Sequence, residues 1–288
     1  MKTQERLKIA IQKKGRLNEG SLKLLRECGI GFSNGGGRLK ATASGFPIEL
    51  LFLRDDDIPQ YVQDGVADIG VLGENEVLEK SKNVDDIERL GFSKCRLSLA
   101  LPKEIDYCGP EWFKGKKIAT SYPNITKDFL RESAVDAEIE YLGGSVEIAP
   151  GIGLADGICD IVSSGSTLFS NGLKEVEVIL RSEAVMVAGR ALNPTKRDLL
   201  DQLQFRLKTV QAAKSNKYIM LNAPNEKIGL ISQILPGIKA PTITALAQEG
   251  WSSLQSVVNE VAFWQVIDQL KAAGAEGILV VPIEKMVA

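Results

Sequence analysis

The apolar positions in the first third of the chain alternate between short continuous runs and stretches with helical spacing. Continuous runs at 7–12, 47–53 and 68–73 predict buried strands. Helical spacing over 21–30 and 56–65, each ending close to a glycine, predicts the helices between them. Strand–helix–strand order of this kind is typical of a mostly parallel sheet covered by helices.

A second series of strands begins near residue 96. The pattern predicts a helix over 124–134 and strands over 96–102, 116–121, 137–142, 158–164 and 176–188. Two successive α/β series predict two lobes with a cleft between them. Ligands in such folds bind at the carboxyl ends of the strands, where the loops converge.

The last third of the chain has a different order of elements. A long helix with one apolar face is predicted over 194–215. After it come predicted strands at 218–224, 241–247, 251–259 and 277–283, and predicted helices at 225–235 and 260–274. The order βαββαβ is the ferredoxin-like pattern. We expect Trp251, Phe263 and Trp264 to pack inside this domain.

Length and composition favour a globular protein with two or three domains. The chain has 288 residues, of which 44% are hydrophobic and 25% charged, an ordinary globular composition. A chain of this length usually folds around more than one hydrophobic core. The 35 basic and 37 acidic residues form no basic block, so neither nucleic-acid nor membrane binding is indicated. The glycine-rich run 34–38 (NGGGR) predicts a flexible turn.

Several absences narrow the chemistry. The sequence has no histidine, which excludes imidazole acid–base catalysis, histidine-based catalytic triads and histidine-ligated metals. The four cysteines show no C-x-x-C spacing, and Cys159 in an apolar run is expected to be a core residue. The N-terminal segment lacks the apolar core of a signal peptide, so we expect a cytoplasmic protein.

The stretch DIVSSGSTL (160–168) places a hydroxyl-rich turn between a predicted strand and a predicted helix start. Consecutive backbone N–H groups in such a turn form an anion site, and Gly165 permits close approach of the backbone. Asp160 and Glu147 supply acceptors suited to ribose hydroxyls. The alternative is that the hydroxyls only cap a helix and that Asp160 only ends a strand. Neither a Walker loop nor a Rossmann fingerprint is present.

Extended back to residue 147, this stretch resembles the signature of the ATP phosphoribosyltransferases. The matching positions are Glu147, Gly153, Ala155, Ile158, Asp160, Ser163, Ser164, Gly165, Thr167 and Leu168. Further similar motifs follow one another along the chain: KKGRL (13–17), RDDDIPQYVQDGVADIGVLGEN (54–75), CRLSLALP (95–102), IATSYPN (118–124) and PIEKM (282–286). The βαββαβ tail resembles the regulatory domain of the family's long form.

The resemblance implies a reaction and an architecture. The reaction is transfer of 5-phosphoribosyl from phosphoribosyl pyrophosphate (PRPP) to N1 of ATP with release of diphosphate, the first step of histidine biosynthesis, with Mg²⁺ required. The architecture is two periplasmic-binding-protein-like lobes and a C-terminal domain that binds the feedback inhibitor histidine, assembled as dimers and hexamers. The implied boundaries are lobe I at 1–95 with 183–213, lobe II at 96–182, and the regulatory domain at 214–288.

The resemblance also implies roles for particular residues. PRPP is assigned to Glu147, Asp160, Ser163, Ser164, Gly165, Ser166 and Thr167. ATP is assigned to Arg16, Arg54, Gly73, Glu74 and Tyr122, and histidine to Thr242. No single catalytic group is implied, and Lys13 and Arg16 are the candidates for meeting phosphate oxygens. Mg²⁺ is expected to be held mainly by substrate phosphates, and attack by adenine N1 needs no strong base, which suits a chain without histidine.

Some of these residues also have a simpler structural explanation. Without the resemblance, Lys13 and Arg16 are better explained as a solvated basic turn. Arg54 is expected either to meet the nucleotide or to pair with one of the aspartates at 55–57. Tyr122 is expected either to line the cleft on the side of the second lobe or to be a core or rim tyrosine.

Three alternative functions remain for the whole chain. A two-lobed solute receptor has the same architecture, but the hydroxyl-rich loop and its carboxylates argue against it. A short-form family member lacks a C-terminal βαββαβ segment. A ligand sensor built on the ferredoxin-like tail leaves the loop at 160–168 unexplained.

Overall fold

The computed structural model describes residues 5–32 and 39–287. The predicted glycine-rich turn at 34–38 lies outside the described residues. The chain divides into two compact units, Met1–Leu200 and Asp201–Ala288.

The first unit contains most of the secondary structure. Its strands are β1 (Leu7–Gln12), β2 (Gly31–Phe32), β3 (Lys40–Ser44), β4 (Ile48–Leu53), β5 (Ile69–Gly73), β6 (Asp85–Arg89), β7 (Cys95–Pro102), β8 (Lys117–Thr120), β9 (Glu138–Tyr141), β10 (Gly157–Val162), β11 (Leu173–Ser182) and β12 (Ala184–Ala188). Its helices are α1 (Arg16–Glu27), α2 (Ile58–Gln63), α3 (Glu74–Lys80), α4 (Pro123–Glu132) and α5 (Ser166–Ser170). Short 3-10 helices lie at Asp55–Asp57, Pro110–Phe113, Val146–Ile148 and Pro150–Ile152.

These strands form two separate sheets, one for each predicted lobe. The seven-stranded sheet has the order β2-β3-β4-β1-β5-β12-β6, and the five-stranded sheet has the order β11-β7-β10-β8-β9. The prediction of mostly parallel sheets is wrong, because both sheets are mixed. β1 pairs parallel with β4 and β5, whereas β12 pairs antiparallel with β5 and β6 and β7 pairs antiparallel with β10 and β11. The chain passes from one sheet to the other between β6 and β7 and again between β11 and β12. Parallel neighbours need a long crossover connection, usually a helix, and in the described part of the chain no such helix directly connects these strands within one sheet, so they pair antiparallel.

The single strand predicted at 176–188 is in fact two strands in different sheets. β11 pairs with β7 in the five-stranded sheet, and β12 pairs with β5 in the seven-stranded sheet. Glu183 separates them and marks the return of the chain to the first sheet. Apolar periodicity indicates that residues are buried in a strand, but it does not indicate to which sheet the strand belongs. The sequence pattern therefore predicts one strand where the structure has two.

The sequence reading also missed several elements of the first sheet. The missed elements are β2, β3, β6 and α3. β3 reads KATAS with exposed and half-buried positions alternating, so it lacks the apolar run that identified its neighbours. In contrast, the helix predicted to follow the hydroxyl-rich turn is present as α5, and it begins within that turn, at Ser166. Cys159 is fully buried in the second lobe, which confirms it as a core residue.

The second unit is a four-stranded antiparallel sheet with helices. α6 (Pro194–Ser215) leads into it and has the predicted bounds. β13 (Asn216–Pro224), a 3-10 turn (Asn225–Lys227), α7 (Ile228–Ile234), β14 (Thr242–Ala245), β15 (Trp251–Asn259), α8 (Glu260–Ala272) and β16 (Glu276–Pro282) follow. The strand order β14-β15-β13-β16 with all pairs antiparallel is ferredoxin-like, which confirms the predicted class.

The core of the second unit lies between its sheet and helices. Ile219, Leu221 and Leu254 from the strands pack with Phe263 and Leu270 from α8. The expectation for Phe263 is therefore confirmed, but Trp264 is 60% exposed and stacks edge-on against Phe263 from outside. Among the helices of the described residues, none is both long enough and apolar enough to cross a membrane.

Candidate active site

The hydroxyl-rich loop lies between the end of β10 and the start of α5. Gly165 precedes the helix with φ of 81°, a left-handed conformation that favours glycine. The loop residues Ser163–Leu168 line a cavity of about 220 Å³ together with Arg16, Glu147 and Asp160. Structure therefore brings together all the residues that the sequence assigned to PRPP.

The loop offers several hydrogen-bond donors to this cavity. Ser164 and Ser166 share a hydrogen bond between their hydroxyls at 3.0 Å. Within the described part of the chain, the backbone N–H groups of Gly165, Thr167 and Leu168 have no protein acceptor. Free amides next to hydroxyls in a glycine-containing turn are the donor set that an anion requires.

Arg16 reaches the loop from the other sheet. It is the first residue of α1, and its Nη1 donates to Ser163 Oγ at 3.0 Å. Lys13, three residues earlier, is exposed at the end of β1, and its backbone N–H donates to the Leu53 carbonyl at 2.7 Å. The two candidates from one basic turn thus have different surroundings, and Arg16 is the one that meets the loop.

Asp160 lies inside β10, two residues before the strand ends, and lines the cavity with Glu147. The pKa of Asp160 is raised to about 6, first because the carboxyl is buried and also because the Glu147 carboxylate lies nearby, although a hydrogen bond from the Ile161 N–H opposes the rise. The two carboxylates repel each other at the cavity wall, and donors or a cation between them would relieve that repulsion.

The residues assigned to ATP follow one edge of the first sheet. β4, β1 and β5 are adjacent and parallel, so Arg54, Lys13 and Glu74 follow strands that end at the same edge. Arg54 forms an ion pair with Asp56 at 3.4 Å, which is the simpler of the two expectations for it. Glu74 forms an ion pair with Arg89. Gly73 stands at the end of β5 directly before α3.

Tyr122, also assigned to ATP, belongs to a polar network between the two lobes. The Asn75 side-chain amide donates to the Tyr122 hydroxyl at 3.3 Å, and Ser182 donates to Asn75 Oδ1 at 2.8 Å. Burial raises the pKa of Tyr122 above its usual range, and the Glu76 carboxyl beside it adds to the rise. Burial also raises the pKa of Glu76. Sequence reasoning missed Asn75, Glu76 and Ser182, because no local pattern shows that α3 meets the other lobe.

A second missed contact between the lobes joins α3 to α4. The carboxylate of Glu79 accepts hydrogen bonds from the backbone N–H groups of Asn124 (3.0 Å) and Ile125 (3.0 Å) at the start of α4. The Asn124 side-chain amide also donates to the Glu79 carbonyl at 3.0 Å. Glu79 is 5% exposed, so this is a buried anchor between the lobes.

A third missed residue is Arg96, at the start of β7. Its Nη1 donates to the Ser163 carbonyl at 3.1 Å, and its other donors meet the carboxylate of Glu175. In the sequence, Arg96 is the second residue of a predicted apolar strand, and nothing in that pattern predicts its contact with Ser163.

Thr242 lies in the second unit, far along the chain from the loop. It lines a cavity of about 380 Å³ together with Lys239, Tyr218 and Gln255. The Tyr218 hydroxyl donates to Gln255 Oε1 at 2.7 Å across the sheet. Across residues 5–32 and 39–287, no group of three or more acidic or sulfur ligands is arranged to hold a metal ion.

The sheets and the cavities of the two units place the chain in a structural class. The chain is a two-lobed α/β protein of the periplasmic-binding-protein-like fold, extended by a ferredoxin-like unit. The family model for ATP phosphoribosyltransferase matches residues 54–209, and the model for the HisG C-terminal domain matches residues 213–285. The chain belongs to the ATP phosphoribosyltransferase family, in its long form, and is a transferase.

Similar proteins extend over nearly the whole chain. ATP phosphoribosyltransferase of Cytophaga hutchinsonii is 59% identical over 98% of each chain. That of Parabacteroides distasonis is 58% identical over 98% of this chain and 99% of its own. That of Phocaeicola vulgatus is 56% identical with the same coverage.

Two solved structures each resemble about 70% of the chain. A chain of the ATP phosphoribosyl transferase (HisG:HisZ) complex from Thermotoga maritima is 32% identical with a TM-score of 0.59, covering 70% of this chain and 98% of its own. The structure of Tv2483 bound to L-arginine is 14% identical with a TM-score of 0.50, covering 70% of this chain and 84% of its own. The second likeness concerns the fold alone.

Proposed function

We propose that this chain transfers the 5-phosphoribosyl group of PRPP to N1 of ATP, giving phosphoribosyl-ATP and diphosphate, as the first step of histidine biosynthesis. The observation that carries the proposal is the 220 Å³ cavity at which the Ser163–Thr167 loop, two carboxylates and Arg16 converge from two lobes. A sugar phosphate has the matching chemistry, with an anion for the amides and hydroxyls for the carboxylates.

Each part of PRPP has a proposed partner in this cavity. The 5-phosphate accepts hydrogen bonds from the free amides of Gly165 and Thr167 and from the loop hydroxyls. The ribose hydroxyls donate to Asp160 and Glu147, which removes the repulsion between these carboxylates. Arg16, already within hydrogen-bond distance of Ser163, supplies positive charge on the side of lobe I.

The reaction needs positioning more than acid–base chemistry. Adenine N1 carries a free electron pair at neutral pH, and it forms a bond to ribose C1 while the bond from C1 to the pyrophosphate oxygen breaks. The electrons of the broken bond leave with pyrophosphate, so cations near that group lower the barrier. Arg16 and Lys13 are the proposed cations, and Arg54, Gly73, Glu74 and Tyr122 are the proposed ATP contacts.

The cavity suits Mg²⁺ bound largely through substrate. Mg²⁺ keeps several waters and takes one or two carboxylates plus phosphate oxygens, and Asp160 with Glu147 provides such a pair. When bound, Mg²⁺ would neutralise charge on the pyrophosphate. The pKa of Asp160 is raised chiefly by burial and further by the nearby Glu147 carboxylate, and this second cause supports a role for a cation at the two carboxylates.

We propose that the chain has the three functional parts that the family resemblance implies. Lobe I comprises 1–95 with 183–213, lobe II comprises 96–182, and the regulatory domain comprises 214–288. The 380 Å³ cavity at Thr242 supports a histidine site in the regulatory domain. Cytoplasmic location and assembly as dimers and hexamers complete the proposal.

The direct test mixes purified protein with ATP, PRPP and Mg²⁺ and measures phosphoribosyl-ATP and diphosphate. Substitution at Gly165 tests the loop, because a Cβ there has space, its nearest neighbour being Val162 at 3.9 Å. Asp and Asn both tolerate the left-handed conformation, so Gly165→Asn controls for shape while Gly165→Asp adds a charge. We expect Gly165→Asp to raise the KM for PRPP about tenfold or more above that of Gly165→Asn. Folded protein that forms no product with any purine nucleotide would refute the enzyme, and equal KM values in the two variants would refute the loop assignment.

A further inference from the structure

Arg96 is held rigidly on the face of lobe II beneath the loop. It stands opposite Val162 of β10, the last residue before the loop. Its Nε and Nη2 donate to the two carboxylate oxygens of Glu175, each at 2.5 Å, and the Ser98 hydroxyl donates to the same carboxylate at 2.7 Å. The pKa of Glu175 is lowered, chiefly by the hydrogen bond from Arg96. A bidentate pair of this kind fixes the guanidinium plane.

The remaining donor of Arg96 reaches the first peptide of the loop. Its Nη1 donates to the Ser163 carbonyl at 3.1 Å. A trans peptide is planar, so the N–H of Ser164 points opposite to that carbonyl. Arg96 therefore sets the direction of the Ser164 amide. Arg16 holds the Ser163 hydroxyl from lobe I at 3.0 Å, so Ser163 is held at two points.

We infer that Arg96 is a positioning residue for phosphate binding, acting through the Ser163 carbonyl. The inference rests on the proposed function, since the phosphate in question is that of PRPP. The guanidinium is paired with the Glu175 carboxylate, so Arg96 contributes by orienting the loop and not as a free cation. The loop amides are then aligned before the ligand arrives, which lowers the cost of binding.

Direct contact between Arg96 and the phosphate makes the opposite prediction for Glu175. If Arg96 binds the phosphate by charge, Glu175→Gln frees the guanidinium and PRPP binds more tightly. If Arg96 orients the loop, Glu175→Gln loosens the guanidinium and PRPP binds more weakly. This variant leaves Arg96 in place, so it also decides the matter should Arg96 variants fail to fold.

The experiment measures PRPP binding by titration calorimetry and, separately, the KM values for PRPP and ATP. Its variants are Arg96→Gln, Arg96→Lys and Glu175→Gln. The control is Lys117→Gln, which removes the surface ion pairs of Lys117 with Glu138 and Glu140 on β8 and β9 of the same sheet. We expect about tenfold weaker PRPP binding in Arg96→Gln and about threefold in Glu175→Gln, with partial recovery in Arg96→Lys. The KM for ATP should stay within about twofold, which a general loss of structure would not allow.

The outcomes separate this inference from the proposed function. Wild-type protein that binds no PRPP would overturn both. Wild-type protein that binds PRPP, with folded Arg96→Gln protein binding it equally well, would overturn the inference alone. Tighter binding in Glu175→Gln would also overturn it, in favour of direct contact. An Arg96→Gln protein whose KM values for PRPP and ATP rise by the same factor would show that Arg96 supports only the structure, which would also overturn the inference.

Discussion

Asp160 brings an electrostatic cost to the folded state at neutral pH. Its folded pKa is raised to about 6 by burial and by Glu147, whereas an aspartate in an unfolded chain ionises near 4. A raised carboxyl pKa contributes stability that is present below the unfolded pKa and is lost as the pH rises through the folded one. The window for this loss is therefore about pH 4 to 6. Such a cost at a cavity wall is typical of a binding group that awaits its partner.

We predict that Asp160→Asn removes this pH dependence. The difference in unfolding free energy, variant minus wild type, should rise by up to about 3 kcal/mol between pH 4 and pH 8, because a pKa difference of about two units is worth that much before solvent screening. Chemical denaturation at the two pH values measures it. Asp136→Asn, at an exposed aspartate of the same lobe, controls for the substitution itself. A difference that falls as the pH rises would contradict the assignment.

At the scale of elements, α3 connects the lobes. Its first turn meets Tyr122 through Asn75, and its last turn supplies Glu79 to the start of α4. The chain also crosses from one sheet to the other between β6 and β7 and between β11 and β12. The contacts of α3 therefore add to these covalent connections in joining the two lobes.

We predict that Glu79→Ala destabilises the first unit by about 2–4 kcal/mol, because it leaves two backbone N–H groups of α4 without their charged acceptor. Asp128→Ala, which breaks only an exposed ion pair with Arg131 on the same helix, should cost less than about 1 kcal/mol. Urea unfolding monitored in lobe II measures both. The KM values for PRPP and ATP should rise together in Glu79→Ala, in contrast to the PRPP-specific effect expected of Arg96. Equal losses of unfolding free energy in the two variants would contradict the role of α3 in connecting the two lobes.

Sequence periodicity predicted elements well where one continuous surface is buried. The buried residues of α6 recur at helical spacing from Leu200 to Ala213, and the bounds of the helix were predicted to the residue. The hydroxyl-rich loop was also predictable, because its donors, its glycine and Asp160 are consecutive in the chain. Glu79, Arg96 and Glu175 were not, since their partners are 45, 67 and 79 residues away. Contacts of that range depend on which strands pair, and a single sequence does not specify the pairing.

At the scale of the whole molecule, the two units have separate cores. The second unit buries Ile219, Leu221 and Phe263 between its own sheet and helices. The first unit buries separate clusters, one around Leu51 and Val185 and another around Leu97 and Phe113. The loop cavity belongs to the first unit and the Thr242 cavity to the second. Catalysis and inhibition should therefore be separable by substitution and by truncation.

We predict that a chain lacking residues 214–288 transfers phosphoribosyl but is no longer inhibited by histidine. The reason is that the Thr242 cavity leaves with the second unit while the loop cavity stays. Activity at rising L-histidine concentrations measures this for both chains. Thr242→Trp in the full chain is the second arm, because it fills the cavity from an exposed strand position and leaves the rest of the chain in place. It should keep the basal activity and raise the histidine concentration needed for half inhibition at least tenfold. Inhibition requires that histidine bind two states of the protein with different affinity, so equal inhibition of the whole and the truncated chain would mean that both the site and those states lie in the first unit.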